Sequence, residues 1–296
     1  MWQSEVMKMV QNPKEIQSKS QINYSYATIK ITQSRLNKAL IAIPAALAKW
    51  FPAHNETIQV YLNNSPVSQT KHYSSYSSST RECRIGGMRE WFKQNNIKSG
   101  DEIVIQLVDK ERFIYRLISE RTFILQTKEL QSKFDSSEDE VDASNKIISL
   151  GEWTDSNKQE VVINEYYRLA NTIPIEERRY VAKHSDQARE GVPYNLRVLL
   201  ENIYKGHCQV CDFWFLKRDN TPYFEIHHID AERGNNPKNL LSVCANCHRQ
   251  FEFADIQHEF DNENWLTNVS FSGKVYSVNQ ILLKTRLDDY IKRLFI

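Results

Sequence analysis

No stretch of the 296 residues approaches the ~18–20 consecutive apolar residues that a bilayer-spanning helix needs. The N-terminal stretch MWQSEVMKMVQNPKEIQSKSQ has no apolar centre of the kind a secretory signal requires. These two absences set the expectation of a cytoplasmic protein with no membrane partner. Nor is there the even set of cysteines that a disulfide framework uses. Of five cysteines, four sit in two tight CxxC pairs, which suits metal binding better. Cys83 stands apart and reads as an ordinary core or surface residue. No internal repeat is visible. An excess of one charge is missing too, the formal net charge being +1. The distribution is less even. Residues 21–120 hold thirteen Lys and Arg against eight Asp and Glu, whereas residues 121–160 hold five against nine. A basic block followed by an acidic stretch suits a module that faces a polyanion, then a linker, although neutral solvated surfaces show such fluctuations as well.

The length allows about two domains. Residues 1–22 are polar and without clear periodicity, a lead-in. From Ala27 the pattern sharpens. Residues 27–32 (ATIKIT) alternate as a strand does, and 43–51 read as a short helix entered at Pro44 and stopped by Pro52. Residues 57–62 alternate again, and the turn signal Asn63-Asn64-Ser65-Pro66 leads to a strand near 67–73. A short strand at 83–85, a Gly86-Gly87 break, a helix over 88–96 and strands over 102–109 and 112–118 complete a unit spanning 23–120. Six or seven short strands with two short helices predict a barrel or sandwich. Residues 121–156, polar and acidic, read as an interdomain linker. Helical spacing returns over 157–205, including 176–190 and 193–206, the latter with Pro193 near its start and Gly206 at its end. The whole is expected to be α+β in two domains, the second running over 157–296.

The chemistry concentrates in residues 207–250. Cys208-x-x-Cys211 is followed, after thirty-two intervening residues, by Cys244-x-x-Cys247. Four thiolates in two knuckles can close a tetrahedron around a structural zinc ion. Between them Phe224-Glu225-Ile226-His227-His228-Ile229 alternates as a strand, so His227 and His228 point to opposite faces unless the backbone twists. Asn239 opens a second apolar piece, and His248 follows the second knuckle. A zinc ribbon that only binds DNA or protein is the plainer reading. His207 and His258 occupy no motif position and read as surface residues.

Glu225, His227-His228, Asn239-Leu240 and Cys247-His248, framed by the four cysteines, resemble the HNH branch of the ββα-metal nucleases over residues 180–255. That resemblance implies that His228 is the general base activating water. It implies that His227 and His248 ligate a catalytic divalent cation, magnesium in the first instance, with manganese or another as alternatives. Asn239 would hold the loop and orient His228. Glu225 is given no chemistry.

In the N-terminal module two segments suit DNA. One holds Ser34, Arg35, Asn37 and Lys38; the other runs from His72 to Arg84 and holds Tyr73, Tyr76, Arg81 and Arg84. Either segment alone could be an ordinary solvated loop. Together with residues 31–44 and 83–105, the module is similar to the plant B-three DNA-binding pseudobarrel and its bacterial relatives in restriction endonucleases. The resemblance implies two arms gripping the major groove, with Trp91 and Phe92 in the core. Joined to an HNH site, it implies a type II restriction endonuclease that acts on double-stranded DNA as a homodimer. The alternatives are a nuclease that senses a methylated base and a non-catalytic zinc-ribbon regulator.

Overall fold

The computed structural model describes residues 22–75, 82–178, 180–183, 186–278 and 280. Two compact units emerge. One comprises the residues up to Asp135 together with Lys146–Val161; the other comprises Ser136–Asn145 and the chain from Val162 onward.

The first unit is built on β1 (Ala27–Lys30), α1 (Gln33–Asn37), β2 (Ile41–Ala42), α2 (Ala45–Ala48), β3 (Glu56–Leu62), β4 (Ser68–Ser74), β5 (Arg84–Ile85), α3 (Arg89–Gln94), β6 (Glu102–Asp109) and β7 (Ile114–Ser119). The seven strands form one pseudobarrel-like sheet in the order β1-β6-β7-β3-β4-β5-β2, with only β3 and β7 parallel. Period-two alternation explains the curl: Ile58, Val60 and Leu62 on β3 and Ile103 and Ile105 on β6 all enter one core. Phe51 fills its centre, stacked at 4.3 Å on Tyr115 and 5.4 Å on Tyr73. Trp91 and Phe92, on α3, are buried in the same core.

Three short helices accompany the sheet rather than the two expected. The additional one is α1. The Thr32 hydroxyl caps it by accepting from the Arg35 amide at 3.4 Å, and Gln33 bonds Asn37 one turn on at 2.9 Å. Residues 121–156 are a further correction: the expected linker is two helices, α4 (Glu120–Asp135) and α5 (Glu140–Thr154). Their acidic composition hid two buried stripes at helical spacing, Phe123, Thr127, Gln131 and Phe134 on α4 and Ala143, Ile147, Leu150 and Thr154 on α5. Trp153 stacks on Phe123 at 5.6 Å, and its indole N–H donates to the Thr127 hydroxyl at 3.1 Å.

The second unit carries α6 (Lys158–Thr172), the hairpin β8 (Tyr180–Lys183) and β9 (Asp186–Arg189), and α7 (Tyr194–Tyr204). The hairpin corrects the helical reading of 176–190. Its apolar residues, Tyr180, Val181 and Ala182, are consecutive. They offer no stripe that would hold a helix, and strand pairing satisfies the backbone instead. Next come β10 (Glu225–His228), β11 (Leu240–Val243) and α8 (Ala245–Phe253), a ββα unit. A three-stranded meander follows, made of β12 (Ile256–Phe260), β13 (Leu266–Phe271) and β14 (Lys274–Ser277). Val269 and Phe271 of the meander share a core with Leu241, Val243, Cys247 and Phe251, so it buttresses the ββα unit from behind. Among the described residues no helix is long and apolar enough to cross a membrane.

Candidate functional site

The four knuckle cysteines converge. Their sulfurs all lie within 4.8 Å of one another, and Cys211 Sγ is 3.7 Å from Cys244 Sγ. Four sulfurs at tetrahedral zinc distances stand about 3.8 Å apart, so the cluster suits zinc with a small contraction. None of the four is in a disulfide. The Cys208 thiol is drawn down to about 5, chiefly by a hydrogen bond with Cys247, whose own pKa is pushed up by the same contact. Cys244 also starts α8, its sulfur accepting from the Cys247 amide at 3.5 Å.

Strands β10 and β11 pair antiparallel, with His227 opposite Leu241 and His228 opposite Leu240. Alternation sends Glu225 and His227 to the face covered by α8, where His248 waits one turn into the helix. The His227 and His248 rings are 5.2 Å apart and near perpendicular. His227 lies flat on Phe251 at 4.1 Å. Burial, with smaller contributions from the neighbouring histidines, lowers its pKa to about 3, so its ring is neutral and its lone pair available near neutral pH. His248 Nδ1 is bonded to the Glu225 carboxylate, which directs Nε2 toward any ion in the site. Glu225 in turn accepts from the Tyr223 hydroxyl, and these two contacts, Tyr223 first, hold its carboxyl below the usual range. Two imidazoles with a carboxylate beside them suit a divalent cation of intermediate hardness.

His228 lies on the opposite face and is buried. Its Nε2 is 3.0 Å from Asn235 Oδ1, while Asn235 Nδ2 donates to the Gly191 carbonyl at 3.0 Å. The second bond fixes which end of the amide faces the ring. An acceptor there places the proton on Nε2 and the lone pair on Nδ1. Asn235 went unnoticed in the sequence because its role depends on a loop fold that spacing does not reveal.

That loop, 229–239, is tied from within by Asn239. Its Oδ1 accepts from the Asp230 amide at 2.9 Å, and its Nδ2 donates to the carbonyls of Asp230, Arg233 and Gly234 at 3.1, 3.2 and 3.1 Å. Those bonds use the hydrogen-bonding capacity of the amide, so Asn239 bears on His228 through the loop that carries Asn235. From outside, Asn236 Nδ2 donates to the Ala170 carbonyl at the end of α6, the Glu232 carbonyl accepts from the Arg178 amide, and the Gly234 amide donates to the Glu176 carbonyl.

In the first unit, Ser34, Asn37 and Lys38 are exposed on and just after α1. Arg35 is bound to Glu82 at 2.6 Å, which draws α1 against the approach to β5, where Arg84 is half-buried. Tyr73 is a correction. It faces inward from β4, is fully buried and stacks on Phe51, so it cannot touch DNA. Tyr76 and Arg81 lie outside the described residues.

Residues 208–252 match the family model for HNH endonuclease, which takes in both knuckles, the histidine pair, Asn239 and His248. No curated protein matches the chain. Among solved structures, the Arabidopsis FUS3–DNA complex is 14% identical with a TM-score of 0.27, covering 31% of this chain and 92% of that one. The Arabidopsis thaliana LEC2–DNA complex is 18% identical with a TM-score of 0.27, covering 31% and 89%. The N-terminal domain of Helicobacter pylori LlaJI.R1 is 15% identical with a TM-score of 0.26, covering 33% and 86%. The C-terminal unit thus carries an HNH nuclease region, set on a four-cysteine cluster suited to zinc.

Proposed function

We propose that the protein is a restriction endonuclease of the type II class, hydrolysing phosphodiester bonds of double-stranded DNA at a sequence chosen by its first unit. The observation that carries the nuclease reading is the division of β10 into two faces. Glu225, His227 and His248 gather on one, and His228 is held by Asn235 on the other. A plain zinc ribbon has no use for that second arrangement.

In this reading Cys208, Cys211, Cys244 and Cys247 hold zinc, and His227 and His248 hold the catalytic cation, magnesium or a similar ion. The bound cation supplies charge stabilisation for the phosphate and the leaving oxygen. His228 takes the proton of the attacking water at Nδ1, while Asn235 steadies the imidazolium that forms through its bond to Nε2. Asn239 keeps the loop in shape so that Asn235 stays aligned. Glu225 holds the His248 ring at Nδ1. Specificity is assigned to Ser34, Arg35, Asn37, Lys38 and Arg84. Cutting both strands at one site needs two such centres or two successive nicks, and a homodimer on DNA provides the former.

The test is plasmid cutting with magnesium or manganese. The wild type should cut, and His228→Ala should lose about 10²–10⁴-fold in rate while keeping its zinc. A wild type that never cuts under either metal would leave a DNA-binding regulator. Sequencing the ends from a digested genome of known methylation tests the specificity; ends scattered without a shared motif would remove the restriction reading.

A further inference from the structure

The first knuckle continues into a tongue, residues 213–222, that the chemistry above leaves unused. Phe213, Trp214, Phe215 and Leu216 are consecutive and 54%, 49%, 42% and 51% exposed. Exposed apolar side chains are ordinary when scattered; four together along one arm of a single element are not. The tongue is also well built. Leu216 bridges Pro222, the Lys217 amide donates to the Thr221 carbonyl at 2.8 Å, and the Tyr223 amide donates to the Phe215 carbonyl at 3.0 Å. The Cys208 amide donates to the Phe213 carbonyl at 3.0 Å, so the root is fastened to the knuckle itself. Trp214 stacks on His207 at 5.2 Å and Phe215 on Tyr223 at 4.8 Å. The rings are therefore presented in a fixed form.

Two observations say what they are presented to. The first is continuity with the metal face: Phe215 stacks on Tyr223, whose hydroxyl bonds Glu225, which bonds His248. The second is charge. Lys217 and Arg218 follow the apolar run directly. Lys217 lies 3.8 Å from Asp219, and no ion pair holds Arg218 among the described residues. A fixed aromatic edge, next to cations and close to a phosphodiester-cutting centre, has the composition of a wedge that enters between base steps while its basic end meets the backbone.

We infer that the tongue is a duplex-opening wedge, in which Trp214 and Phe213 insert beside the scissile phosphate and Arg218 neutralises a neighbouring phosphate. The occupant is the double-stranded DNA of the nuclease reading, and the inference rests on that reading for its substrate. The wedge makes local unstacking part of substrate engagement, so DNA already unpaired at that step binds more tightly.

The test uses the full zinc-loaded chain without magnesium, so no chemistry enters. Fluorescence anisotropy compares a labelled duplex of about three helical turns with the same duplex carrying a short central unpaired bubble. The wild type should bind the bubble on the order of 10-fold more tightly, and the double variant Phe213→Ala/Trp214→Ala should bring that ratio close to one. Trp214→Phe alone should retain the preference, and Arg218→Ala should lower the salt slope of binding by about 1. Zinc content and an unchanged melting temperature establish that the variants fold. A double variant that keeps the wild-type ratio overturns the wedge, as does a wild type that shows no preference or binds neither probe. A variant whose only change is loss of a dimer in light scattering also overturns it, and makes the tongue a contact between copies. Plasmid cutting with magnesium is measured separately: bubble preference without cutting rejects the nuclease and keeps the wedge.

Discussion

Removing the Asn239 side chain should damage the site more than its single amide suggests. Asn239→Ala deletes one acceptor and two N–H donors from a position that is only 6% exposed. The Asp230 amide and the carbonyls of Asp230, Arg233 and Gly234 then lose that partner together. At about 0.5–1.5 kcal/mol per hydrogen bond, three bonds amount to about 1.5–4.5 kcal/mol. For a unit of this size that is a fall of about 3–18 °C in melting temperature. The near-isosteric Asn239→Asp should be worse than alanine, because it turns a carboxylate oxygen toward three carbonyl oxygens that need donors. Thermal melting gives the order wild type, alanine, aspartate. Hydrogen exchange localises the loss to residues 229–239, with the Asp230 amide exposed first. An aspartate variant as stable as the wild type, or an alanine variant with unchanged loop protection, would refute the reasoning.

Other expectations follow from separate parts of the molecule. Cys211→Ser should take bound zinc from one per chain to near zero by elemental analysis and unfold the ββα unit, since structural zinc supplies about 10 kcal/mol or more of folding free energy; a variant that retains zinc and melts normally would exclude Cys211 as a ligand. Gly206→Ala places a Cβ 2.5 Å from Pro222 Cβ at a backbone φ of +80°, and should cost about 2–4 kcal/mol in urea unfolding; a cost near zero would mean that the root of the tongue is free to move. With zinc in place and no catalytic cation added, burial holds the His227 pKa at about 3 in the folded protein, against 6.5 for its ordinary value. The unfolded chain therefore binds the additional proton in that window, so this contribution is complete above 6.5 and is lost as the pH falls toward 3. Parallel pH profiles for wild type and His227→Gln would show that His227 is not the source. Lys38→Ala should weaken binding evenly across DNA sequences and reduce the salt slope by about 1, whereas Asn37→Ala should relax sequence preference; unchanged binding in both would place the reading arm elsewhere.

The cysteine cluster and the region of the family match were legible because their residues stand at particular spacings. CxxC pairs, adjacent histidines and a histidine after a knuckle leave little freedom. The strands of the curled sheet were legible for a similar reason, in the alternation of residues 57–62 and the short strands around it, which pointed to a barrel or a sandwich. What escaped depended on partners distant in sequence. Tyr73 sits in a run rich in serine and tyrosine that looks solvated, yet its position on β4 turns it onto Phe51. The helices within 121–156 were masked because acidic outer faces dominate the composition, while the buried positions on each helix carry the packing. Asn235 could not be singled out from Asn236 and Asn239 until the loop brought it to His228. The final hairpin was readable and passed over: Ser272 and Gly273, both at positive φ, lie between alternating strands, the signature of a two-residue turn.

Cys247 and His248 are neighbours in the first turn of α8, so one sulfur of the cysteine cluster and one proposed ligand of the catalytic cation hang from a single peptide unit. A helix advances only ~1.5 Å per residue, and no hinge can be placed between them. The two sites are therefore one mechanical body. Any tilt of α8 that loosens the cysteine cluster would swing His248 by a comparable amount, and in the proposed reaction any strain set up at the phosphate would be felt by the cysteines. Such a centre has no gentle way of failing: losing the structural ion and losing the reactive geometry would be one event.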